Sequence, residues 1–525
     1  MKKIQVLDCT LRDGGYCNDW HFGFENSKQI ISGLIESGVE IIECGFITNA
    51  ADDNLHVTKF KNVPDIAQYL PNKKSKIFVA MINYGEFDVD LLPPYDGSSI
   101  DGIRVAFHKK NISNALELCS KISAKGYLVF VQPMVSLSYS DDEFSQLINQ
   151  VNALSPYAFY IVDSFGMMKP NDLSRLYYIV EHNLNDGIWI GFHSHNNMQL
   201  AYSNALTLVQ SFSRRNLIID SSIMGMGRGA GNLNTELFIG FLNEVIDERY
   251  NIKPLLFIID YILSNFYKQN YWGYSLPNYI SALHNAHPNY AIYLDMKKTL
   301  TFDDMNEIFN MMDDDDKKIN FNKNYIEGLY LSYQDKDRVK EAHLLEFKDK
   351  IQGKSVLIIG SGASSMNEKS KIISYSNNTN VLTISVNREY DSAITDFIFA
   401  SNLRKFRDIS NSCRSKTIVT SNISANDVYL QIKYNEFLNS VELVKDNATL
   451  MLINFLIKLG VKKVFLAGVD GYSTNKDNLF SYNNIEYSNS ESIAFEMNKA
   501  VTMALKQLQN EIDIEFITTP QNIIL

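Results

Sequence analysis

Short apolar runs alternate regularly with helix-like stretches in the first part of the chain. The runs are rich in β-branched residues and stay apolar until a polar residue appears at the carboxyl end, a pattern typical of strands covered on both faces. They span residues 4–11, 39–46, 76–83, 102–108, 127–134, 158–165, 188–196 and 217–225. Eight such strands with helical connections in about 240 residues predict an α/β (β/α)8 TIM barrel, with an open doubly wound sheet as the alternative.

Charged and polar side chains stand where two of these strands end. The first run continues as "LDCTLRDGG", which places Arg12 and Asp13 at the predicted mouth of the barrel. The seventh ends in "GFHSHNN", where His193 and His195 point to the same side because side chains on a strand repeat every two residues. Active sites of such barrels lie at the carboxyl ends of the strands. We therefore predict that Asp13, His193 and His195 hold one metal ion.

Two imidazoles and a carboxylate suit Mn²⁺, Mg²⁺, Fe²⁺, Co²⁺ or Zn²⁺, and the ligand types alone do not choose among them. The open coordination positions would let a substrate bind through two of its own oxygens, with the cation acting as a Lewis acid. Arg12, next to Asp13, could stabilise an oxygen that becomes negative in the transition state.

Five motifs carry a family resemblance: "LDCTLRDGG", "IIECGF", "VDSFG", "HSHNN" and "GMGRGAGN". In this order they resemble the DRE-TIM metallolyase superfamily, most closely its 4-hydroxy-2-oxovalerate aldolase-like branch, over about residues 1–340. The resemblance implies a carbon–carbon lyase that cleaves a 4-hydroxy-2-oxoacid through pyruvate enolate. It also implies a divalent ion, Mn²⁺ or Mg²⁺ with Zn²⁺ or Co²⁺ as alternatives, on Asp13, His193 and His195, with Asn232 as a further ligand. A Claisen-type, acyl-CoA-dependent reaction of the same superfamily is the alternative function.

The resemblance assigns further roles and shows one departure. It implies that Glu43 holds Arg12 in place and that Asp163 and Ser164 face the substrate. The related aldolases use a histidine four residues after the arginine as base, and here that position is Tyr16. A tyrosine with an ordinary pKa is a poor base at neutral pH, so His21 is the candidate replacement. Tyr274 aligns with a tyrosine that the helical extension of those aldolases contributes near the active site.

Composition divides the chain into four segments. We predict the barrel over 1–250, a helical, aromatic-rich extension over 251–335, a charged linker over 336–353 and a separate Rossmann-like α/β domain over 354–525. In the last segment, "KSVLIIGSGASS" is a strand running into a glycine turn, an arrangement that offers backbone N–H groups to a phosphate. A nicotinamide dinucleotide is disfavoured because the third glycine and the acidic residue of that fingerprint are missing.

The last segment resembles bacterial sialyltransferase-like and motility-associated glycosyltransferase domains, through "LIIGSGASS" and "LGVKKVFLAGVDGYS". The resemblance implies a nucleotide or CMP-sugar site near Gly360, Ser361, Gly362 and Asp470, and hence a bifunctional enzyme of surface polysaccharide synthesis. The segment could instead be a non-catalytic binding or oligomerisation module. A fused aldehyde dehydrogenase is disfavoured because the segment is short and Cys413 is its only possible nucleophile.

Charge and cysteine usage exclude some partners. The net charge of −11 argues against nucleic acid or an anionic membrane as partner, because both require a basic surface. No apolar stretch is long enough for a membrane span or a signal peptide, and the five cysteines are scattered. We expect a cytoplasmic homo-oligomer with reduced thiols, acting on a small 2-oxoacid.

Overall fold

A computed structural model describes residues 2–52, 54–71, 76–211, 213–297, 300–313, 318–334, 341–473 and 491–523. The chain divides into two compact units, the first comprising residues 1–292 and 313–321 and the second residues 293–312 and 322–525. The predicted linker begins outside the described residues, since 335–340 are not described, and its remainder lies largely in the helix Glu341–Ile351.

The first unit contains a closed barrel of eight parallel strands, which confirms the predicted fold. Each strand pairs with its neighbours along the chain, and the first pairs with both the second and the eighth. The strands are Ile4–Asp8, Ile41–Ile47, Ile77–Asn83, Gly102–Phe107, Leu128–Pro133, Ala158–Asp163, Trp189–Ser194 and Leu217–Ser221. A two-residue strand, Lys59–Phe60, pairs with the end of the second.

The strands are apolar throughout because both of their faces are covered. One set of side chains, including Leu7, Val79 and Phe130, forms a separate core inside the barrel. The other set packs outward with the surrounding helices in a larger core. The burial of both faces explains why these strands show no polar alternation in the sequence.

Helices connect the strands and continue after the barrel. Several begin with a local signal, such as Ser140, whose hydroxyl accepts from the Glu143 N–H while the Glu143 carboxylate accepts from the Ser140 N–H. The barrel helices are Phe24–Glu36, Val63–Ala67, Ile112–Ala124, Asp141–Leu154, Pro170–Asn183, Ala201–Gln210 and Thr235–Val245. The helical segments that follow are Lys253–Ile258, the π-helical turn Ile259–Leu263, Ser264–Gln269, Leu276–Leu283 and Pro288–Met296.

The second unit is built on a seven-stranded parallel sheet, consistent with the predicted Rossmann-like domain. In spatial order its strands are Leu430–Ile432, Thr417–Thr420, Phe397–Ala400, Val381–Val386, Ser355–Ile359, Lys463–Ala467 and Asp513–Phe516. Strand order therefore reverses between Ser355–Ile359 and Lys463–Ala467. Its helices are Phe302–Asn310, Lys323–Gln334, Glu341–Ile351, Ser364–Asn367, Lys369–Ser376, Leu403–Arg407, Asn411–Arg414, Ala448–Lys458 and Glu491–Leu508.

Among the described residues, no helix has both the length and the apolar character needed to cross a membrane. All five cysteines are free.

Candidate metal centre

The structure brings Asp13, His193 and His195 together at the carboxyl end of the barrel. All three are buried, and one ligand atom from each lies within 4.8 Å of the others. His193 belongs to the seventh strand, and His195 follows it, forming an isolated backbone bridge with Asn232. The first strand ends at Asp8 rather than at residue 11, so its predicted end is wrong. The N–H groups of Arg12 and Asp13 both donate to the Cys9 carbonyl, and this one-turn helix carries the Asp13 carboxylate.

The unsatisfied polar atoms of this cluster fit a cation. His193 Nδ1 lies 2.9 Å from Asp220 Oδ2, so Nε2 is the nitrogen left for a metal. His195 Nδ1 and Asn232 Oδ1 are buried without a hydrogen-bond partner in the described part of the protein. Buried polar atoms are seldom left unpaired, and two nitrogen donors with a carboxylate form a common divalent-metal set.

The electrostatics hold these groups in the protonation states that a metal requires. Burial alone would raise the pKa of Asp13, but the positive charge of Arg12, 2.5 Å away, keeps that pKa below its ordinary value. Burial lowers the pKa of His195 to about 3. A carboxylate and a neutral imidazole are therefore present at neutral pH, and both are ligand forms.

Asn232 lies beside the cluster with its amide nitrogen towards the carboxylate. Nδ2 donates to Asp13 Oδ2 at 2.6 Å and to the Met226 carbonyl at 3.2 Å. Ligation through Oδ1, as the resemblance implies, therefore requires the amide group to turn.

A buried chain of alternating charges supports the cluster. Glu43 Oε2 accepts from Arg12 Nε at 2.8 Å and from Arg104 Nη1 at 2.7 Å. Arg104 also donates to Asp220, the residue that contacts His193. Glu43 thus contacts Arg12 through one carboxylate oxygen, which it shares with Arg104.

Arg104 and Asp220 are not among the residues that the sequence pattern predicted for the site. The available signal was a charged residue inside each of two apolar strands, "GIRVAF" and "LIIDS". A buried charge in a barrel strand requires a partner of opposite sign, so the two could have been paired.

Replacing Asp220 by Asn should weaken Mn²⁺ binding about 10- to 100-fold, because loss of a partner that orients a ligating histidine has an effect of this size. Isothermal titration of Mn²⁺ into the purified variant measures it. Asp186→Asn, a change at a fully exposed carboxylate, is the matched control and should bind as the wild type does. Equal Mn²⁺ affinity of Asp220→Asn and wild type would contradict a metal role for His193.

Asp163 and Ser164 lie at the end of the sixth strand, and both side chains are engaged with backbone. The Asp163 carboxylate accepts from the N–H groups of Met167 and Met168 at 3.0 and 3.1 Å. Ser164 Oγ accepts from the Val135 N–H at 2.9 Å. Burial raises the pKa of Asp163 to about 7. These contacts shape the loops around the mouth.

The predicted proton-transfer residues lie in different places. Tyr16 packs edge-on against Trp20, with 4.8 Å between ring centroids, and 42% of the residue remains exposed. His21 is exposed, and its backbone bridges to Val57. Tyr274 is 47% exposed in the segment after the barrel. Among the described contacts, none joins His21 or Tyr274 to the metal cluster.

In the second unit, the predicted nucleotide residues form a tightly packed corner. A side chain added at Gly360 would meet the Gly468 carbonyl oxygen at 2.5 Å, and one added at Gly362 would meet the Asp470 carboxylate at 2.5 Å. Asp470 also accepts from the Ser364 N–H at 2.8 Å. Ser361 lies in the same turn. Gly360 and Gly362 thus allow their loop to approach the loop that contains Gly468 and Asp470. The Asp470 carboxylate occupies the start of the helix, where the sequence predicted a phosphate.

Comparison with known proteins agrees with the geometry of the first unit. Residues 3–256 match the family model described as HMGL-like. The 4-hydroxy-2-oxovalerate aldolase of Geobacillus genomosp. 3 is 28% identical over 273 residues, covering 50% of this chain and 77% of that protein. The protein of the same name from Pseudoalteromonas translucida is 26% identical over 253 residues, covering 46% and 71%.

Among solved structures, a variant of Rhizobium etli pyruvate carboxylase is similar with a TM-score of 0.51 at 13% identity, covering 64% of this chain and 36% of that chain. This likeness supports the fold alone. The family match and the buried Asp–His–His cluster both indicate a metal-dependent enzyme domain. Residues 3–256 therefore form an HMGL-like (DRE-TIM) domain, and this match supports a metal-dependent carbon–carbon lyase.

Proposed function

We propose that the barrel catalyses reversible aldol cleavage of a 4-hydroxy-2-oxoacid to pyruvate and an aldehyde. The observation that carries this proposal is the buried cluster of Asp13, His193 and His195 directly beside the Arg12 guanidinium. The names of the relatives, which are 4-hydroxy-2-oxovalerate aldolases, support the same reaction. We propose Mn²⁺ or Mg²⁺ as the resident ion.

The cluster and Arg12 have separate tasks. A divalent ion held by Asp13, His193 and His195 would supply Lewis-acid chemistry to the oxygens of a 2-oxoacid. Arg12 stays cationic, because its carboxylate neighbours Glu43 and Asp13 raise its pKa although burial opposes this. Its Nη2 is buried with no partner among the described residues. We assign this free N–H group to the oxygen that gains negative charge as the enolate forms.

Cleavage also requires a group that accepts the proton of the 4-hydroxyl. Although part of the Tyr16 residue is exposed, desolvation of its hydroxyl raises the pKa above the ordinary value, so the phenol stays protonated at neutral pH, and we assign it a hydrogen-bond donor role. His21 remains the proposed base. This role requires the segment after Tyr16 to turn the His21 ring into the mouth of the barrel. Tyr274 remains a proposed contributor from the extension. Asp163 and Ser164 are proposed to act on the substrate through the loops that they fix.

The test is release of pyruvate from a panel of 4-hydroxy-2-oxoacids by the full chain, with Mn²⁺ and after exhaustive chelation. The proposal expects pyruvate and an aldehyde in equal amounts, in the presence of metal only. Thiol release from acetyl-CoA with a 2-oxoacid, without aldehyde formation, would establish the Claisen reaction instead. Pyruvate release that is unchanged by chelation would contradict the metal assignment.

For the second unit we propose a nucleotide or CMP-sugar site at the carboxyl edge of its sheet. Support comes from the reversal of strand order between Ser355–Ile359 and Lys463–Ala467, since open parallel sheets bind ligands at such switch points. Because Asp470 lies at the helix start, the phosphates must bind elsewhere along this edge. Isothermal titration of CMP and CTP into the full chain tests the proposal. Binding would support it, and its absence would favour a non-catalytic module.

A further inference from the structure

Arg228 lies in the glycine-rich loop that contains Asn232, at the mouth of the barrel. Its Nη2 donates to the Ser164 carbonyl at 3.0 Å, at the end of the sixth strand. Its guanidinium carbon lies 5.5 Å from the centre of the Tyr16 ring, which belongs to the segment after the first strand. Arg228 therefore spans the mouth beside the metal cluster.

The charge of Arg228 is not matched by a carboxylate. Arg12 and Arg104 both form ion pairs with buried acids, whereas no described Asp or Glu lies within ion-pair distance of Arg228. Its Nε is buried and has no hydrogen-bond partner in the described residues. The nearby Asp13 carboxylate is already engaged by Arg12 and Asn232. An arginine held by a single carbonyl keeps several N–H donors for a ligand.

The neighbouring histidines add hydrogen-bond donors without adding charge. His108 follows the fourth strand, and His287 packs against Phe165 with 5.3 Å between ring centroids. Burial first, and then the charge of Arg228, lower the pKa of His287 to about 3. Burial, Lys110 and Arg228 also lower the pKa of His108. His287 Nδ1 accepts from the Asn289 N–H at 3.1 Å, so the neutral ring carries its proton on Nε2.

We propose that Arg228 binds an anionic group on the aldehyde half of the substrate, so that this 4-hydroxy-2-oxoacid carries a carboxylate or a phosphate beyond C4. The inference rests on the proposed aldolase reaction and narrows its substrate class. A guanidinium binds either group through two parallel hydrogen bonds. The metal cluster and Arg12 are left for the pyruvate half.

The test compares aldehydes in the condensation direction with pyruvate and Mn²⁺. Succinic semialdehyde is paired with butanal, and glyceraldehyde 3-phosphate with glyceraldehyde, so the two pairs distinguish a carboxylate from a phosphate. The wild type should prefer the charged member of at least one pair in kcat/KM. Arg228→Ala should reduce that preference roughly 10- to 100-fold, the range of a hydrogen bond to a charged group. Arg228→Lys should retain part of it.

Arg175→Ala removes an exposed guanidinium that pairs with Asp141 and serves as the matched control, whose preference should equal that of the wild type. The proposal is overturned if the wild type shows no preference in either pair. It is also overturned if Arg228→Ala slows charged and neutral aldehydes equally.

A binding measurement separates this proposal from the aldolase assignment. If no aldehyde condenses with pyruvate, the proposed reaction fails, and anion binding is then measured alone. Succinate and inorganic phosphate are titrated into wild type and Arg228→Ala. Weaker binding of either anion by the variant supports the anion site, and equal or absent binding contradicts it.

Discussion

Replacing Arg12 by Gln should lower kcat for pyruvate release about 10²- to 10³-fold, which is roughly 3–4 kcal/mol of barrier, as for loss of an oxyanion donor. The reason is that Arg12 is the cation nearest the metal cluster and has a buried N–H group free for substrate. Glutamine keeps an N–H donor but is shorter than arginine and carries no charge, so both the charge and the contact made by Nη2 are lost. The change should appear mainly in kcat because the enolate charge exists only beyond the ground state.

Arg12 also neighbours Asp13, so the assay needs saturating Mn²⁺ and a separate measurement of Mn²⁺ affinity for each variant. Arg175→Gln removes an exposed guanidinium and should retain wild-type kcat. A kcat for Arg12→Gln within about threefold of wild type at saturating metal would show that Arg12 does not stabilise the developing charge.

Replacing Arg104 by Met should lower the free energy of unfolding of the first unit by about 3–5 kcal/mol, the typical loss when one partner of a buried ion network is removed. Arg104 is completely buried, and its loss leaves Glu43 and Asp220 without their shared partner inside the barrel. The three tryptophans, Trp20, Trp189 and Trp272, all lie in the first unit, so their fluorescence during urea unfolding reports that unit.

Arg175→Met is the matched control, since it breaks an ion pair that is largely exposed. Its loss should change the unfolding free energy by less than about 1 kcal/mol. If Arg104→Met is no less stable than this control, the buried network does not stabilise the barrel.

The barrel could be predicted because strands buried on both faces leave a clear apolar signal. Each of the eight predicted runs overlaps a barrel strand. The grouping of Asp13 with His193 and His195 followed from one geometric rule, that the carboxyl ends of all strands meet at one mouth. The alternation of side chains on the seventh strand then pointed both histidines the same way.

The other features of the site could not be predicted, because they depend on contacts between residues that are far apart in the sequence or on the local path of the backbone. Arg104 and Asp220 are 116 residues apart, and only the closed barrel brings them together. The first strand ends at Asp8, and Asp13 lies in the helical turn that follows. No residue type near Asp8 marks this end of the strand, so the sequence did not predict it. His21 looked close to the arginine along the chain, yet its ring is exposed. Arg228 was not predicted as a site residue, because the glycine-rich motif that contains it indicated only a turn and the metal ligand Asn232.

Titration of Mn²⁺ into the full chain, in wild type and in the variants Asp13→Ala and His193→Ala, tests whether the cluster at the barrel mouth binds a metal ion. We expect one tightly bound ion per chain in the wild type and no detectable binding in either variant, with unchanged tryptophan fluorescence showing that both variants remain folded. Undiminished Mn²⁺ binding by folded Asp13→Ala and His193→Ala would contradict this expectation.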